Sequence, residues 1–190
     1  MDSISTITID PVFANVALAA AAIVALMGAI AKFRQLDAFQ RAVASFRLVP
    51  HALVLPFAVA VPVCETLAVA ALLAPQTRAI GAVALGTLFA LFAFALAVNV
   101  ARGHTDFDCG CSGFVASSHD APHRIGWAHV GRALLLVALV ACACARQSSR
   151  AIVWFDFLSV FGGTLMVVSA LVALDVLLAN RPKLNHLRNS

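Results

Sequence analysis

Two cysteines separated by one glycine stand in the run Asp106-Phe107-Asp108-Cys109-Gly110-Cys111-Ser112-Gly113-Phe114. Thiols this close can join only in a small, strained ring, because disulfides prefer a Cα separation of about 5.5–6 Å. Strain makes such a bond easier to reduce and therefore ready for exchange. Gly110 tolerates the dihedrals the ring imposes, and Gly113 adds freedom beside it. Three readings compete for Cys109 and Cys111. Thiol–disulfide exchange is favoured by the glycine spacer and the polar surroundings. A metal site would draw on His104, Asp106, His119 and His123, but no standard zinc spacing is present. The third reading is an inert pair. Asp106 and Asp108 would hold the thiols protonated, whereas Arg102 or a charged His104 would favour the thiolate.

The other cysteines, Cys64, Cys142 and Cys144, lie in apolar runs. Cys142 and Cys144 are two apart, so on a helix they point to different faces. A free cysteine there serves as a small hydrophobe. Cys64 and Cys142 share a depth of roughly 20 Å from one membrane face. A second redox pair between Cys64 and Cys142 or Cys144 therefore stays open.

Ionisable residues inside apolar runs carry a cost of several kcal/mol, so each needs a reason. Arg132 and Asp175 lie at matching depths in their runs, which predicts an ion pair beneath the Cys109 loop; the alternative is that each snorkels separately to the headgroups. Glu65, the one glutamate of the chain, stands near mid-membrane three residues after Pro62. A neutral Glu65 that fixes helix packing is the expected role, with a proton or ligand path as the alternative. Asp156 is expected to reach water at the opposite interface.

These residues need a frame, and composition says which kind. Of 190 residues, 62% are hydrophobic and 12% are charged, about half the charge of an ordinary soluble domain. Mean hydropathy is +0.96. Such a chain is neither disordered nor an ordinary soluble enzyme. The formal net charge of +4 fits basic loops on one membrane face better than nucleic-acid binding. A span needs about 20 apolar residues as a helix. The runs 11–31, 51–74, 79–101, 125–145 and 151–180 meet that need, the fourth least securely because its start is polar. The expectation is an all-α, polytopic bundle of four to five transmembrane helices in a single domain covering 1–190. The first run lacks the basic residues that precede a cleaved signal and is expected to stay. Ala17, Ala21, Ala25 and Ala29 recur every four residues, a small-residue stripe or simple alanine richness.

The connections are unequal. The loop from Lys32 to Pro50 is amphipathic, with Phe33, Leu36, Phe39 and Val43 set to lie along one face in the interface plane. The second, at Pro75-Gln76-Thr77, is tight. The third, 102–124, is long, polar and the expected seat of function. Alternation puts the first loop, the third loop and the tail on one face. That face carries nine basic residues, Lys32 among them, against three on the other, and the positive-inside rule would place it in the cytoplasm. No dinucleotide loop, phosphate loop or haem-attachment sequence occurs, so no cofactor is expected and no stand-alone enzyme activity is assigned.

Lys32-Phe33, Phe46-Arg47-Leu48-Val49-Pro50 and Pro62-Val63-Cys64-Glu65, then Arg102-Gly103, Cys109-Gly110-Cys111-Ser112-Gly113, Ile125-Gly126-Trp127 and Arg132 together resemble the MauE family of methylamine utilisation membrane proteins and the wider DoxX-like group. Ser112 departs from that family's usual Phe, and Ala133 stands where Asn often follows the arginine. The resemblance implies a multi-pass protein of the bacterial cytoplasmic (inner) membrane that supports maturation of methylamine dehydrogenase. The implied partners are a thioredoxin-like MauD-type protein and the periplasmic small subunit of that enzyme, whose export, folding or disulfide formation the chain would assist. Cys109 and Cys111 would then be the working pair, with Gly110, Gly113, Glu65, Arg132 and Asp175 supporting. That role puts the third loop outside, against the basic-residue count. A non-redox assembly scaffold and a small-molecule transporter using Glu65 are the competing functions.

Overall fold

In a lipid environment a backbone must satisfy its own hydrogen bonds, and a helix does so within one segment. The computed structural model describes residues 8–105, 125–145 and 148–188, with side chains as far as 178. Cys109, Gly110, Cys111 and Gly113 lie outside the described residues. Among the described residues there are six α-helices: α1 (Pro11–Arg34), α2 (Leu36–Ser45), α3 (Val54–Leu73), α4 (Arg78–Ala101), α5 (Trp127–Cys144) and α6 (Trp154–Arg188). Five of them, with the short turn His51–Leu53 leading into α3, are long and apolar enough to cross a membrane. The protein is therefore an all-α, multi-pass membrane protein.

Each end has a local cause. Asp10 caps α1 by accepting from the Val12 N–H at 2.8 Å, and Pro11 occupies the first helical position, where no donor is needed. Thr77 closes the tight turn by donating its hydroxyl to the Ala71 carbonyl at 2.8 Å, which satisfies an acceptor that α3 leaves open. At the end of α4 the His104 N–H reaches the Asn99 carbonyl at 3.0 Å and the Gly103 N–H reaches Val100 at 3.1 Å. Gly103 takes a φ of 74°, which only glycine adopts freely, so the helix stops in a Schellman motif.

The interior is built from small residues. Ala17, Ala21, Ala25 and Ala29 are all buried, and they let α1 approach α3, α5 and α6 closely. Gly81 does the same between α4 and α3, where an added Cβ would stand 2.7 Å from the Ala68 carbonyl oxygen. Large apolar side chains such as Phe57, Leu67, Phe94 and Phe161 face outward, where lipid takes the place of a partner. α6 leans chiefly on α1 and is the most exposed of the five spans.

Three expectations are corrected. α1 runs on to Arg34, so Lys32 is not a loop residue but a buried one. The amphipathic loop is the helix α2, which buries Phe39 and Ala42 against the bundle; Phe33 belongs to the last turn of α1 and points outward. Asp156 does not stand free in water: it is largely covered, accepts from the Val153 N–H at 2.8 Å and from Arg150 at 3.0 Å, and meets the surface beside that arginine, whose side chain is 43% exposed.

Candidate functional site

The long polar segment is rooted at both ends. Beyond the Schellman turn, the Thr105 carbonyl accepts from the Ile125 N–H at 3.0 Å. Residues 105 and 125 are thereby held side by side, and α4 and α5 present whatever lies between them from one point on the bundle. Ile125 is buried with Phe46, Ala93, Leu96, Val130 and Ala133, an apolar plug under that point.

Below the plug lie the charges. Lys32 folds its side chain back along α1, the direction that helical side chains favour, so that its ammonium lies over Gly28. There it donates to both carboxylate oxygens of Glu65, at 2.7 and 2.8 Å. Both residues are buried, Lys32 at 5% exposure and Glu65 at 2%. The rings of Phe92 and Phe39, with centroids 5.2 and 5.7 Å from the ammonium, complete its surroundings. Sequence reasoning gave Glu65 no partner. The signal was Gly28, one turn before the only lysine that closes an apolar run.

Arg132, one turn and a half into α5, meets Asp175 of α6: Nε lies 2.5 Å from Oδ1, and Nη2 donates to Oδ2 at 2.8 Å. Only the Nη2 contact is a hydrogen bond; Nε is close in charge-to-charge distance but has no hydrogen-bond partner among the described residues. On the same face of α5, His129 accepts the Gly126 N–H at Nδ1, 3.3 Å away, which closes the first turn of the helix.

The two ion pairs share a space. Lys32, Glu65, His129, Arg132 and Asp175 all line one cavity of about 50 Å³, walled by Val24, Phe89, Phe92, Leu96 and Leu136. The cavity thus joins α1, α3, α4, α5 and α6 at the end of the bundle that bears the third loop. Asn99 stands on the same stripe of α4 as Phe92 and Leu96, fully buried, with its Nδ2 donating to Ala95 at 2.9 Å. Its Oδ1 has no hydrogen-bond partner among the described residues.

The remaining candidates are not brought together. Cys64, Cys142 and Cys144 are free and lie on the outer surface of the bundle. Among the described residues no group of three or more His, Cys, Asp or Glu side chains is placed to hold a metal. Of the four residues weighed as ligands beside the cysteine pair, only His104 is described.

The family model described as methylamine utilisation protein MauE matches residues 10–146. The methylamine utilization protein MauE of Methylophilus methylotrophus is 43% identical over 130 residues, covering 68% of this chain and 66% of that one. Its counterpart in Methylorubrum extorquens is 36% identical over 104 residues, covering 55% and 53%, and that of Paracoccus denitrificans 33% over 118 residues, covering 62% and 61%. The matched stretch thus spans between half and two thirds of these relatives' length. No solved structure matches the chain.

Proposed function

We propose that this chain, which belongs to the methylamine utilisation protein MauE family, serves methylamine utilisation as an accessory protein of the bacterial inner membrane. Its task in this reading is maturation of methylamine dehydrogenase, through disulfide formation in the periplasmic small subunit. The observation that carries the reading is the family membership of a chain whose one polar cysteine pair, Cys109 and Cys111, is hung between two pinned helix ends. Gly110 and Gly113 give that pair its freedom. Arg132 and Asp175 support it by tying α5, one of the two helices from which the segment hangs, to α6, and Glu65 by tying α3 to α1 beside them.

The chemistry balances without a cofactor. A thiolate of the small subunit attacks one sulfur of the Cys109–Cys111 disulfide. That bond breaks and a mixed disulfide forms. A second client thiolate attacks the client sulfur of that mixed disulfide and expels the cysteine sulfur bonded to it, so the client gains its bridge and loses two electrons and two protons to the pair. A disulfide of a thioredoxin-like MauD-type partner takes those electrons back in the same two steps. The strained ring favours transfer toward the client.

Thiol trapping in membranes tests this. Cys109 and Cys111 should cycle between oxidised and reduced forms, and replacing the resolving one with serine should trap a covalent adduct visible without reductant. A Cys109→Ser/Cys111→Ser variant that still yields normal amounts of correctly bridged small subunit would end the redox reading and leave the assembly scaffold in its place. Orientation is an independent test. With Lys32 withdrawn into its ion pair, the third-loop face keeps eight of its nine basic residues against three, a count that favours the cytoplasm. Disulfide formation in a secreted client needs the oxidising side. An impermeant maleimide should label Cys109 in intact cells after partial reduction, with the other cysteines replaced; labelling only after lysis would contradict the proposal.

A further inference from the structure

The cavity between the two ion pairs is lined by donors that the pairs do not use up. An ammonium has three N–H groups, and Glu65 engages at most two of those on Lys32. Arg132 donates to Asp175 through Nη2 alone, and its Nε, though close to Oδ1, has no hydrogen-bond partner among the described residues. Each carboxylate offers about four lone-pair directions, of which Glu65 spends two and Asp175 one on hydrogen bonds from its own cation. A group placed between the pairs would therefore accept from Lys32 and Arg132 while donating to Glu65 and Asp175. Water has that valence, two in and two out, and a buried water needs two to four polar partners. The volume of about 50 Å³ admits one or two water molecules and excludes anything of drug size.

We propose that this cavity is a proton-exchange site in which bridging water connects Asp175, close to the third-loop end of its span, to Glu65, near the middle of α3. A proton held on Asp175 passes to the water as the water passes one of its own to Glu65. Asp175 ends as the carboxylate, Glu65 as the acid, the water is regenerated, and only O–H bonds change. Lys32 does not lose its place when Glu65 takes the proton, because the rings of Phe92 and Phe39 face the ammonium from two further sides. Arg132 likewise holds the restored carboxylate of Asp175. The charged and titratable groups facing the cavity are Lys32 from α1, Glu65 from α3, His129 and Arg132 from α5 and Asp175 from α6; α4 contributes apolar walls. His129 lines the cavity with its Nδ1 accepting from the Gly126 N–H, and this scheme assigns it no step. The site is separate from the cysteine pair and does not depend on redox chemistry there.

Infrared difference spectroscopy on the full chain in lipid nanodiscs, stepped from alkaline to acid pH, tests it. The carboxylic acid bands of Glu65 and Asp175 are assigned by their loss in Glu65→Gln and Asp175→Asn. Both bands should titrate, and Asp175→Asn should move the Glu65 midpoint by about tenfold in proton concentration or more, because the two sites share one bridge. Ala133→Leu, which fills the cavity while keeping all four charged residues, should leave both bands and make the Glu65 titration insensitive to Asp175→Asn. The proposal falls if neither acid band appears at any pH at which the helices persist. It falls equally if the Glu65 midpoint is the same with Asp175 and with Asn at that position, a comparison that stands even where the leucine variant fails to insert.

Discussion

Arg132 and Arg150 each meet aspartate, at opposite ends of the bundle, and the two arrangements have little else in common. Arg150 stands between Asp10, 3.2 Å from its Nε, and Asp156, 3.0 Å from its Nη2, with 43% of its side chain exposed. Both aspartates there already serve the backbone. Asp10 caps α1 through Val12, and Asp156 accepts the Val153 N–H at the start of α6. The Val12 contact is the main reason that the Asp10 carboxyl is held below its ordinary pKa, with Arg150 second. Arg132 and Lys32, by contrast, donate to carboxylates that stand inside long helices, Asp175 in α6 and Glu65 in α3, and not at a helix start. At the exposed end, charge dresses a cap that would exist without it. At the buried end, the ion pair is the whole of the arrangement, and its value lies in neither partner being left alone.

The comparison breaks most easily at Glu65. Glu65→Leu strands the Lys32 ammonium in the bundle and should cost about 3–5 kcal/mol, read by denaturant titration in mixed micelles. Lys32→Met in the same chain should return most of that loss, since an apolar pair of similar volume avoids both desolvation terms. If the double variant is no better than the single one, packing rather than charge governs this end. Gly81→Ala separates those causes from the other side. It brings no charge, but its Cβ would meet the α3 backbone, so a loss of about 1–3 kcal/mol is expected; Gly131→Ala, with open space around it, should be close to neutral.

The smallest effects belong to the exposed cluster. Arg150→Gln should leave the unfolding midpoint within the scatter of the measurement, and added salt should not change that result. The pH dependence follows from the sign of the shift at Asp10. A carboxyl lowered on folding contributes stability above its unfolded pKa and loses it as pH falls through the lower folded value. The difference between the wild type and Asp10→Asn should therefore hold constant from neutral pH down to the ordinary carboxylate range and shrink only below it. A difference that faded already near neutral pH would place the control elsewhere than Asp10.

Much of the frame was legible because lipid imposes a simple rule: long apolar runs become helices, and the five runs lie close to the five spans. The pairing of Arg132 with Asp175 could be read as well, because equal depth in neighbouring helices leaves two opposite charges little choice. Lys32 and Glu65 hid for a geometric reason. Their positions differ in depth, and only a side chain lying back over Gly28 closes the gap, which counting residues along a run does not reveal. The shared cavity was further from reach, since it needs the five helices assembled. Cys109 and Cys111 present the reverse case: the sequence alone suggests their chemistry, and they lie outside the described residues.

The hydrogen bond between Thr105 and Ile125 has a consequence for how this protein tolerates change. With the two stems fastened, the ends of α4 and α5 are held side by side by their own hydrogen bond. Closing a longer connection adds only about 0.6 kcal/mol for each doubling. The closure cost of an insertion between Thr105 and Ile125 is thus small, while the ionic frame beneath the stems admits no editing one residue at a time.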